Sequence, residues 1–297
     1  MQKILLTGAN GFIGYYTTKF LLEKNFIVIA SGKGPSRLPF QSEQLHYETL
    51  DFTIESEVKK VFAKHQPQVI IHCGAISKPD DCELNRDSAF LINVTGTVHL
   101  LKYASMYKSF FLFLSTDFVF DGKKGMYIEE DETGPVNYYG RTKELAEKEV
   151  MQYAYAWSIV RTVLVYGKPF LNRQNILTNT ANSLRIKEPL KIFNDQVRTP
   201  TYVEDLAKAL VRIIESNATG IFHISGKDVM TPYQMAIATA EFLNLDRSLI
   251  SCVTESDFDQ PARRPLITGF DISKAAEVLE YQPLSFREGL ERTFSEM

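Results

Sequence analysis

The sequence predicts an α/β protein built on a doubly wound parallel sheet, with a smaller lobe formed by its C-terminal part. Short, almost entirely apolar segments alternate with longer segments whose apolar residues recur at helical spacing. The connections between them are short, as they are when helices cover both faces of a parallel sheet. The first apolar segment, Lys3–Thr7, runs directly into a group of glycines, which is typical of a buried strand that turns into a helix.

The individual elements follow from this alternation in chain order. Apolar runs predict strands at Lys3–Thr7, Phe26–Ala30, His46–Asp51, Gln68–Cys73, Phe110–Ser115 and Ser158–Arg161. Apolar residues at helical spacing predict helices between them, at Phe12–Lys24, Glu55–Lys64, Ser88–Tyr107 and Asn137–Tyr155.

The alternation becomes looser after about Tyr166, where prolines are frequent and helices such as Tyr202–Ser216 and Pro232–Leu243 stand apart. We therefore expect a first domain at residues 1–166 and a smaller, substrate-binding lobe at residues 167–297. We leave open that some segments of this lobe, about residues 202–224, pack back onto the first domain.

Composition and charge exclude several classes of function. The 297 residues have a net charge of -3, and no excess of Lys and Arg predicts binding to nucleic acid or to a membrane surface. Cys73, Cys82 and Cys252 are far apart, which favours reduced thiols over a disulfide framework. Met1 is followed almost directly by the first strand, which leaves no room for a signal peptide. We therefore expect a cytoplasmic protein, and no spaced set of carboxylates or histidines predicts a metal site.

The turn after the first strand carries the first motif with chemical meaning, Thr7–Gly14 (TGANGFIG). Gly8 and Gly11 permit a tight turn and a close approach of backbone N–H groups to a pyrophosphate, which would lie at the start of the following helix. Gly14 lets that helix pack closely against the strand. This strand, turn and helix are typical of a Rossmann-type dinucleotide site. The predicted cofactor contacts in it are Gly8, Asn10, Gly11, Phe12, Ile13 and Gly14.

The segment after the second strand bears on the choice of nucleotide. Sites that prefer NAD usually place an acidic residue there, which binds the ribose 2′-hydroxyl. This chain has Ser31 and Lys33 instead, with Arg37 further on and no carboxylate before Glu43. A hydroxyl and cations suit a 2′-phosphate, so we predict NADP(H) over NAD(H). The alternative is that Lys33 and Arg37 are solvated loop charges, which is the usual state of such residues.

Tyr139 and Lys143 form the predicted catalytic pair. Residues four apart on a helix lie on one face, so the two side chains should be neighbours. A nearby ammonium, helped by the positive charge of the nicotinamide, should lower the pKa of the phenol and suit it to acid–base catalysis. Thr116 ends the fifth strand, at the edge where ligands bind to such sheets, and its hydroxyl could polarise a carbonyl group. The same Tyr/Lys spacing at Tyr15 and Lys19 lies on the cofactor-binding helix and lacks such a partner.

These motifs resemble those of extended short-chain dehydrogenase/reductases. The glycine spacing in Thr7–Gly14 and the Tyr139/Lys143 pair carry the resemblance. It implies that Asp51 and Phe52 bind the adenine. It also implies that the backbone of Cys73, Gly74 and Ala75 lines the nicotinamide ribose, and that Asn93 stiffens the helix beside the active site. Tyr139 and Lys143 would also contact the nicotinamide ribose.

Within that group the sequence is most similar to dTDP-4-dehydrorhamnose reductases. Residues 115–122 (STDFVFDG) carry the similarity, and it continues through 129–147, 160–167, 195–201, 220–226, 264–265 and 271–274. The resemblance implies reduction of the 4-keto group of dTDP-4-dehydro-6-deoxy-L-mannose to dTDP-L-rhamnose, with NADPH as the reductant. Ser77, Asp117 and Phe118 are the implied substrate contacts, and a homodimer is compatible with it.

Three departures from the reductase pattern concern the substrate. Residues 76–83 match the family's sugar-binding segment only in part, and Leu164 replaces an expected tryptophan. Arg198 replaces a glycine. We consider two roles for Arg198: a ligand of the substrate diphosphate, together with Arg263, or a surface charge.

Two other functions remain open at this level. A UDP-sugar 4-epimerase would share Thr116, Tyr139 and Lys143, although the absence of an acidic residue after the second strand argues against tightly held NAD. A non-catalytic, NADP-binding regulatory subunit similar to the methionine adenosyltransferase β subunit would share the fold and the nucleotide site. The complete catalytic set favours an enzyme.

Overall fold

The computed structural model describes residues 1–171, 174–258 and 260–295. A seven-stranded parallel sheet forms its centre. The strands are β1 Lys3–Thr7, β2 Ile27–Gly32, β3 Leu45–Thr49, β4 Val69–His72, β5 Phe110–Thr116, β6 Trp157–Thr162 and β10 Gly220–Ile224. Their order across the sheet is β3-β2-β1-β4-β5-β6-β10, so strands are added first on one side of β1 and then, from β4 onward, on the other. This arrangement confirms the predicted doubly wound sheet.

Helices cover both faces of the sheet because successive strand residues point to opposite sides. Ile4 and Leu6 pack with α1 Phe12–Glu23, α8 Val203–Ser216 and α10 Ser273–Leu279. Leu5, between them, packs on the other face with α2 Glu55–His65, α5 Gly96–Met106 and α6 Tyr138–Met151. All three strand residues have no exposed surface. The continuous apolar run of β1 is therefore explained by a strand buried on both faces.

The long helix predicted at Ser88–Tyr107 is interrupted by a wider turn. After the short α3 Pro79–Leu84, the chain forms α4 Arg86–Phe90 and then a π-helical turn at Leu91–Thr95, before α5 begins. Wider turns of this kind insert a residue into the helix and frequently occur at functional sites. Apolar spacing alone predicts the helix but not this interruption.

The C-terminal segments form two small sheets and a helical layer. Strand β7 Val165–Tyr166 pairs with β9 Thr201–Tyr202, and β8 Leu190–Phe193 pairs with β11 Ile250–Val253. The helices are α7 Ile176–Arg185, α9 Pro232–Phe242 and α11 Phe286–Phe294. Residues 203–224 pack onto the first domain, since α8 packs on α1 and β10 joins the main sheet beside β6. Within the described residues, no helix is long and apolar enough to cross a membrane.

Candidate active site

A cavity of about 420 Å³ opens at the carboxyl ends of the central strands. Ligand sites in open parallel sheets lie at this edge, where the strand order reverses, and cavities of this size are usual for them. Many of the predicted site residues line it: Gly8, Gly11, Phe12, Ile13, Gly14, Cys73, Ala75, Ser77, Thr116, Asp117, Phe118, Tyr139 and Lys143.

The glycine turn has the close contacts that its sequence predicts. Gly8 has φ +73, and a Cβ on it would lie 2.9 Å from the backbone nitrogen of Gly74. A Cβ on Gly14 would lie 2.2 Å from the carbonyl oxygen of Gly8. Helix α1 begins after Gly11, and no side chain of the described residues caps it. Its first N–H groups are therefore available to a phosphate.

Several predicted nucleotide contacts bind other parts of the protein. Ser31 is buried and donates to the carbonyl oxygen of Leu6 at 3.2 Å, so its hydroxyl does not face the loop as expected. Lys33 Nζ lies 2.7 Å from Asp51 Oδ2, and the hydrogen bond with Lys33 helps to hold the pKa of that carboxyl below its ordinary value although burial raises it. Phe52 is 8% exposed, and its ring packs against Gly74 and Gly96.

Asn93 fixes the loop that lines one side of the cavity. It lies in the π-helical turn, is 1% exposed, and accepts from the backbone nitrogen of Ile76 at 2.9 Å. Its Nδ2 donates to the carbonyl oxygen of Ile76 at 3.0 Å and to Thr142 Oγ1 at 3.0 Å. Asn93 thus joins helix α6 to the loop after β4, in which the neighbours of Ile76, Ala75 and Ser77, line the cavity.

Tyr139 lies at the start of α6, beside Thr116 and Phe118. Asn137 caps this helix by accepting from the backbone nitrogen of Gly140 at 2.9 Å. The rings of Tyr139 and Phe118 are 5.7 Å apart in an edge-on arrangement. Burial raises the pKa of the Tyr139 phenol well above its ordinary value, and a hydrogen bond with Thr116 offsets part of that rise. The expected lowering of this pKa by Lys143 is therefore wrong for the protein as folded.

Lys143 is almost completely buried one turn further along α6. Its Nζ donates to the carbonyl oxygen of Leu114 at 2.7 Å and lies 3.8 Å from the centre of the Phe113 ring. Burial lowers the pKa of Lys143 to about 7, although the Glu147 carboxylate acts in the opposite direction. A buried ammonium is costly to keep charged, so this lysine changes its charge near neutral pH.

Arg198 has neither of its two predicted roles in the structure. It is 3% exposed, which excludes a surface charge. Its guanidinium donates to the carbonyl oxygens of Leu266 at 2.7 Å and Pro265 at 2.6 Å, so these nitrogens are occupied and not directed at a diphosphate. Its Nε lies 3.7 Å from Asp117 Oδ2, the nearest carboxylate oxygen in its ion pair. Arg198 is therefore a buried counter-charge.

Asp117 lines the cavity but is held by neighbouring groups. Thr268 donates to its Oδ2 at 2.5 Å, and Thr116 donates to its Oδ1 at 3.1 Å. Burial raises the pKa of Asp117, and the charge of Arg198 opposes the rise. Arg263, the other predicted diphosphate ligand, has an exposed side chain 3.7 Å from Glu255 and is not among the cavity residues.

Comparison with known proteins identifies the family. A profile described as the RmlD substrate binding domain matches residues 1–297. The chain belongs to the RmlD substrate binding domain family. This result, together with the relatives below, confirms the resemblance to dTDP-4-dehydrorhamnose reductases predicted from the motifs.

Relatives of this RmlD-family chain include proteins with different names. It is 30% identical to methionine adenosyltransferase 2 subunit beta of Mus musculus, over 98% of this chain and 87% of that protein. It is 28% identical to the spore coat polysaccharide biosynthesis protein SpsK of Bacillus subtilis (strain 168), over 100% and 98%.

Solved structures agree with the fold. The dTDP-4-dehydrorhamnose reductase of Bacillus anthracis, in complex with NADP, is 28% identical, with a TM-score of 0.85 and complete coverage of both chains. The UDP-glucuronic acid 4-epimerase of Bacillus cereus has a TM-score of 0.86 at 23% identity, over 99% of this chain and 98% of that chain. At that identity the epimerase supports the fold alone.

Several residues of the RmlD-family site were not predicted from the sequence. Glu83 accepts from the backbone nitrogen of Tyr138 at 2.9 Å and so supports the start of α6. Glu147 accepts from Ser115 at 2.5 Å and pairs with Arg161 at 2.7 Å, in a buried cluster beneath Lys143. Glu147 lies four residues after Lys143, a spacing that places both side chains on one helix face and could have pointed to Glu147 as a site residue. Glu83 and its partner are 55 residues apart, so no local pattern joins them.

Proposed function

We propose that the protein reduces the 4-keto group of a nucleotide-activated deoxysugar with NADPH, and that dTDP-4-dehydrorhamnose is the preferred substrate. The observation that carries this proposal is one cavity lined both by the glycine turn and by Thr116, Tyr139 and Lys143. The similarity to a reductase that was solved with NADP supports the choice of cofactor and substrate.

The residues around the cavity fit a dinucleotide. Gly8 and Gly74 approach each other so closely that a side chain would not fit between them, and the uncapped start of α1 offers backbone N–H groups to a pyrophosphate. Lys33 lies at the end of the sheet where the adenosine ribose would bind. Bound NADPH would supply the hydride.

Proton transfer is assigned to Tyr139. Because burial raises its pKa, the phenol stays protonated at neutral pH and suits the role of proton donor to a carbonyl oxygen. The Thr116 hydroxyl lines the same cavity and would donate to the same oxygen in place of Asp117 Oδ1. Lys143, when protonated, would stabilise the phenolate that forms and would bind the ribose hydroxyls. Phe118, which follows Asp117, provides no second carboxylate beside the cavity for acid–base elimination of water.

A second candidate is supported by one finding. The similarity to methionine adenosyltransferase 2 subunit beta extends over nearly the whole chain. We therefore keep a non-catalytic, NADP-binding subunit as the alternative, with a nucleotide in the cavity and no turnover. Only the shared fold supports the 4-epimerase alternative.

The experiment that separates these candidates is turnover with the proposed substrate. Purified protein is mixed with freshly generated dTDP-4-dehydrorhamnose, and the loss of NADPH absorbance is followed and then repeated with NADH. We expect turnover that is faster with NADPH. Tight binding of NADPH without turnover of this or related keto-sugar nucleotides would favour the binding subunit.

A further inference from the structure

The segment after β2 is the part of the site that meets the 2′ position of the adenosine ribose in folds of this kind. Here it runs from the last residue of β2 to Arg37 (residues 32–37), and it carries two exposed cations, Lys33 and Arg37. Gly34, in its middle, has φ +73, and no atom of the described residues lies within 4 Å of the position of a Cβ. Packing around Gly34 therefore does not hold the segment, and its shape depends on hydrogen bonds from other elements.

Asn10 supplies three of these hydrogen bonds. Its side chain is nearly buried, and its Nδ2 donates to the carbonyl oxygen of Pro35 at 3.1 Å and to Tyr47 Oη at 2.8 Å. Its Oδ1 accepts from the backbone nitrogen of Arg37 at 2.9 Å. These bonds use both donors of the amide and one acceptor position. The amide of Asn10 is thus committed to the segment, although Asn10 belongs to the glycine turn.

Side chains of strand β3 also form hydrogen bonds with this segment. Tyr47 Oη donates to the carbonyl oxygen of Gly34 at 3.0 Å, and Thr49 Oγ1 donates to the same oxygen at 3.2 Å. Because Asn10 also binds Tyr47, the glycine turn, residues 32–37 and β3 form one hydrogen-bonded unit. The turn that would receive the pyrophosphate is in this way joined to the segment that carries Lys33 and Arg37.

We propose that Asn10 is a positioning residue that determines the preference for NADP(H), by holding residues 33–37 so that Lys33 and Arg37 meet the 2′-phosphate. This inference rests on the proposed cofactor. Arg37 depends on Asn10 directly, through its own backbone nitrogen. Removing the amide would leave Pro35 and Arg37 without these partners and would release the segment.

The test is a comparison of NADPH and NADH binding, measured by calorimetry on the full chain without a sugar substrate. Asn10→Ala should weaken NADPH binding by about tenfold or more, the scale of one charge-assisted contact, and NADH binding by less than about threefold. Tyr47→Phe removes only a hydroxyl from the same unit and should change the preference in the same direction. Gln41→Ala, at an exposed position of the same connection, is the control and should change neither affinity.

Combination with the double variant Lys33→Ala/Arg37→Ala tests the route of the effect. If Asn10 acts through the segment, Asn10→Ala should weaken NADPH binding much less when both cations are already absent. Equal weakening of NADPH and NADH by Asn10→Ala, or no change in either, would overturn the inference; Tyr47→Phe decides the question if Asn10→Ala does not fold. Wild-type protein that binds NADH as tightly as NADPH would instead refute the proposed cofactor, before any variant is measured.

Discussion

At the scale of single residues, the chemistry of the site depends on how deeply two side chains on one helix are buried. Tyr139 and Lys143 line the same cavity, and burial favours the neutral form of each. A neutral phenol is a proton donor, which suits the direction of carbonyl reduction. A lysine whose pKa is about 7 can change charge near neutral pH.

The first prediction concerns Tyr139 as the proton donor. Tyr139→Phe removes the hydroxyl while keeping the ring that packs against Phe118. We expect kcat to fall by roughly 10²–10⁴-fold, the usual effect of losing a general acid, with NADPH binding unchanged. The measurement is steady-state turnover together with cofactor titration. Near-normal kcat in the variant would remove Tyr139 from the mechanism.

The second prediction concerns the pH dependence of stability caused by Lys143. Its folded pKa is about 7, below the ordinary 10.5, so between these values the unfolded chain binds a proton that the folded chain does not. Stability must then rise with pH across this window, by up to about 1.4 kcal/mol per pH unit from this residue. Below about pH 7 Lys143 is protonated in both the folded and the unfolded chain, and the folded chain bears the full free-energy cost of burying this charge.

Denaturant unfolding between pH 7 and pH 9 measures this effect, since Lys143→Met removes the titrating group. The free energy of unfolding should rise less steeply with pH in the variant than in the wild type. Contributions from other titrating groups cancel in that difference. Equal slopes would contradict the lowered pKa.

Tyr139 and Lys143 also show what the sequence can and cannot predict about single residues. The spacing of Tyr139 and Lys143 predicts that they share a helix face, and they do. The direction of the Tyr139 pKa was predicted wrongly, because spacing reveals a neighbouring charge but not the loss of water around the phenol. Arg198 was misjudged for the same reason: an arginine in a loop is usually exposed, and its partners Pro265 and Leu266 lie 67 and 68 residues away.

At the scale of elements, the site depends on where regular structure is interrupted. Apolar periodicity predicts strands β1 to β6 and the longer helices between them, but not the short α3, because buried strands and long amphipathic helices leave strong patterns. It does not predict the π-helical turn at Leu91–Thr95, because a wider turn of this kind leaves no separate apolar pattern in the sequence. That turn carries Asn93, which bonds to both backbone groups of Ile76.

The third prediction tests this turn through Asn93→Ala. The change leaves buried polar groups of Ile76 and Thr142 without their partner, so the free energy of unfolding should fall by about 1–3 kcal/mol. NADPH affinity should fall as well, because the loop after β4 is released. The matched control is Asn85→Ala, which removes one exposed bond to the carbonyl oxygen of Asp81 and should be nearly neutral. A similar loss in both variants would contradict the special role of Asn93.

At the scale of the whole molecule, C-terminal segments complete the site that the main sheet begins. Asn137, which caps α6, donates to the carbonyl oxygen of Arg263 at 2.7 Å, and Arg264 pairs with Asp80 of α3 at 2.6 Å. Thr268 reaches Asp117. Residues 203–224 also pack onto the first domain, so the predicted boundary at residue 166 separates two stretches of sequence whose segments interleave in space. Contacts between residues so distant along the chain leave no local pattern.

The fourth prediction concerns the buried pair of Arg198 and Asp117. Removing one partner leaves the other charge uncompensated, so Asp117→Asn and Arg198→Met should each be strongly destabilising, by about 3–5 kcal/mol. The double variant should be more stable than the sum of the single effects by about 1–3 kcal/mol. Denaturant unfolding of the wild type, the two single variants and the double variant completes this double-mutant cycle.

An exposed pair at the same separation is the control for this cycle. Arg263 and Glu255 are also 3.7 Å apart, but the Arg263 side chain is 69% exposed. Their coupling should be below about 1 kcal/mol, as is usual for ion pairs at the surface. Equal coupling in the buried and the exposed pair would show that burial does not strengthen the interaction of Arg198 with Asp117.

The most direct test of the proposed function is transfer of deuterium to the sugar from NADPH that carries deuterium at both positions on C4 of the nicotinamide. The protein is incubated with this cofactor and dTDP-4-dehydrorhamnose, and the product is examined by mass spectrometry and NMR. We predict deuterium on the former carbonyl carbon, and no such product with Tyr139→Phe over the same time. Binding of NADPH without deuterium in any product would contradict the reductase assignment and favour the binding subunit.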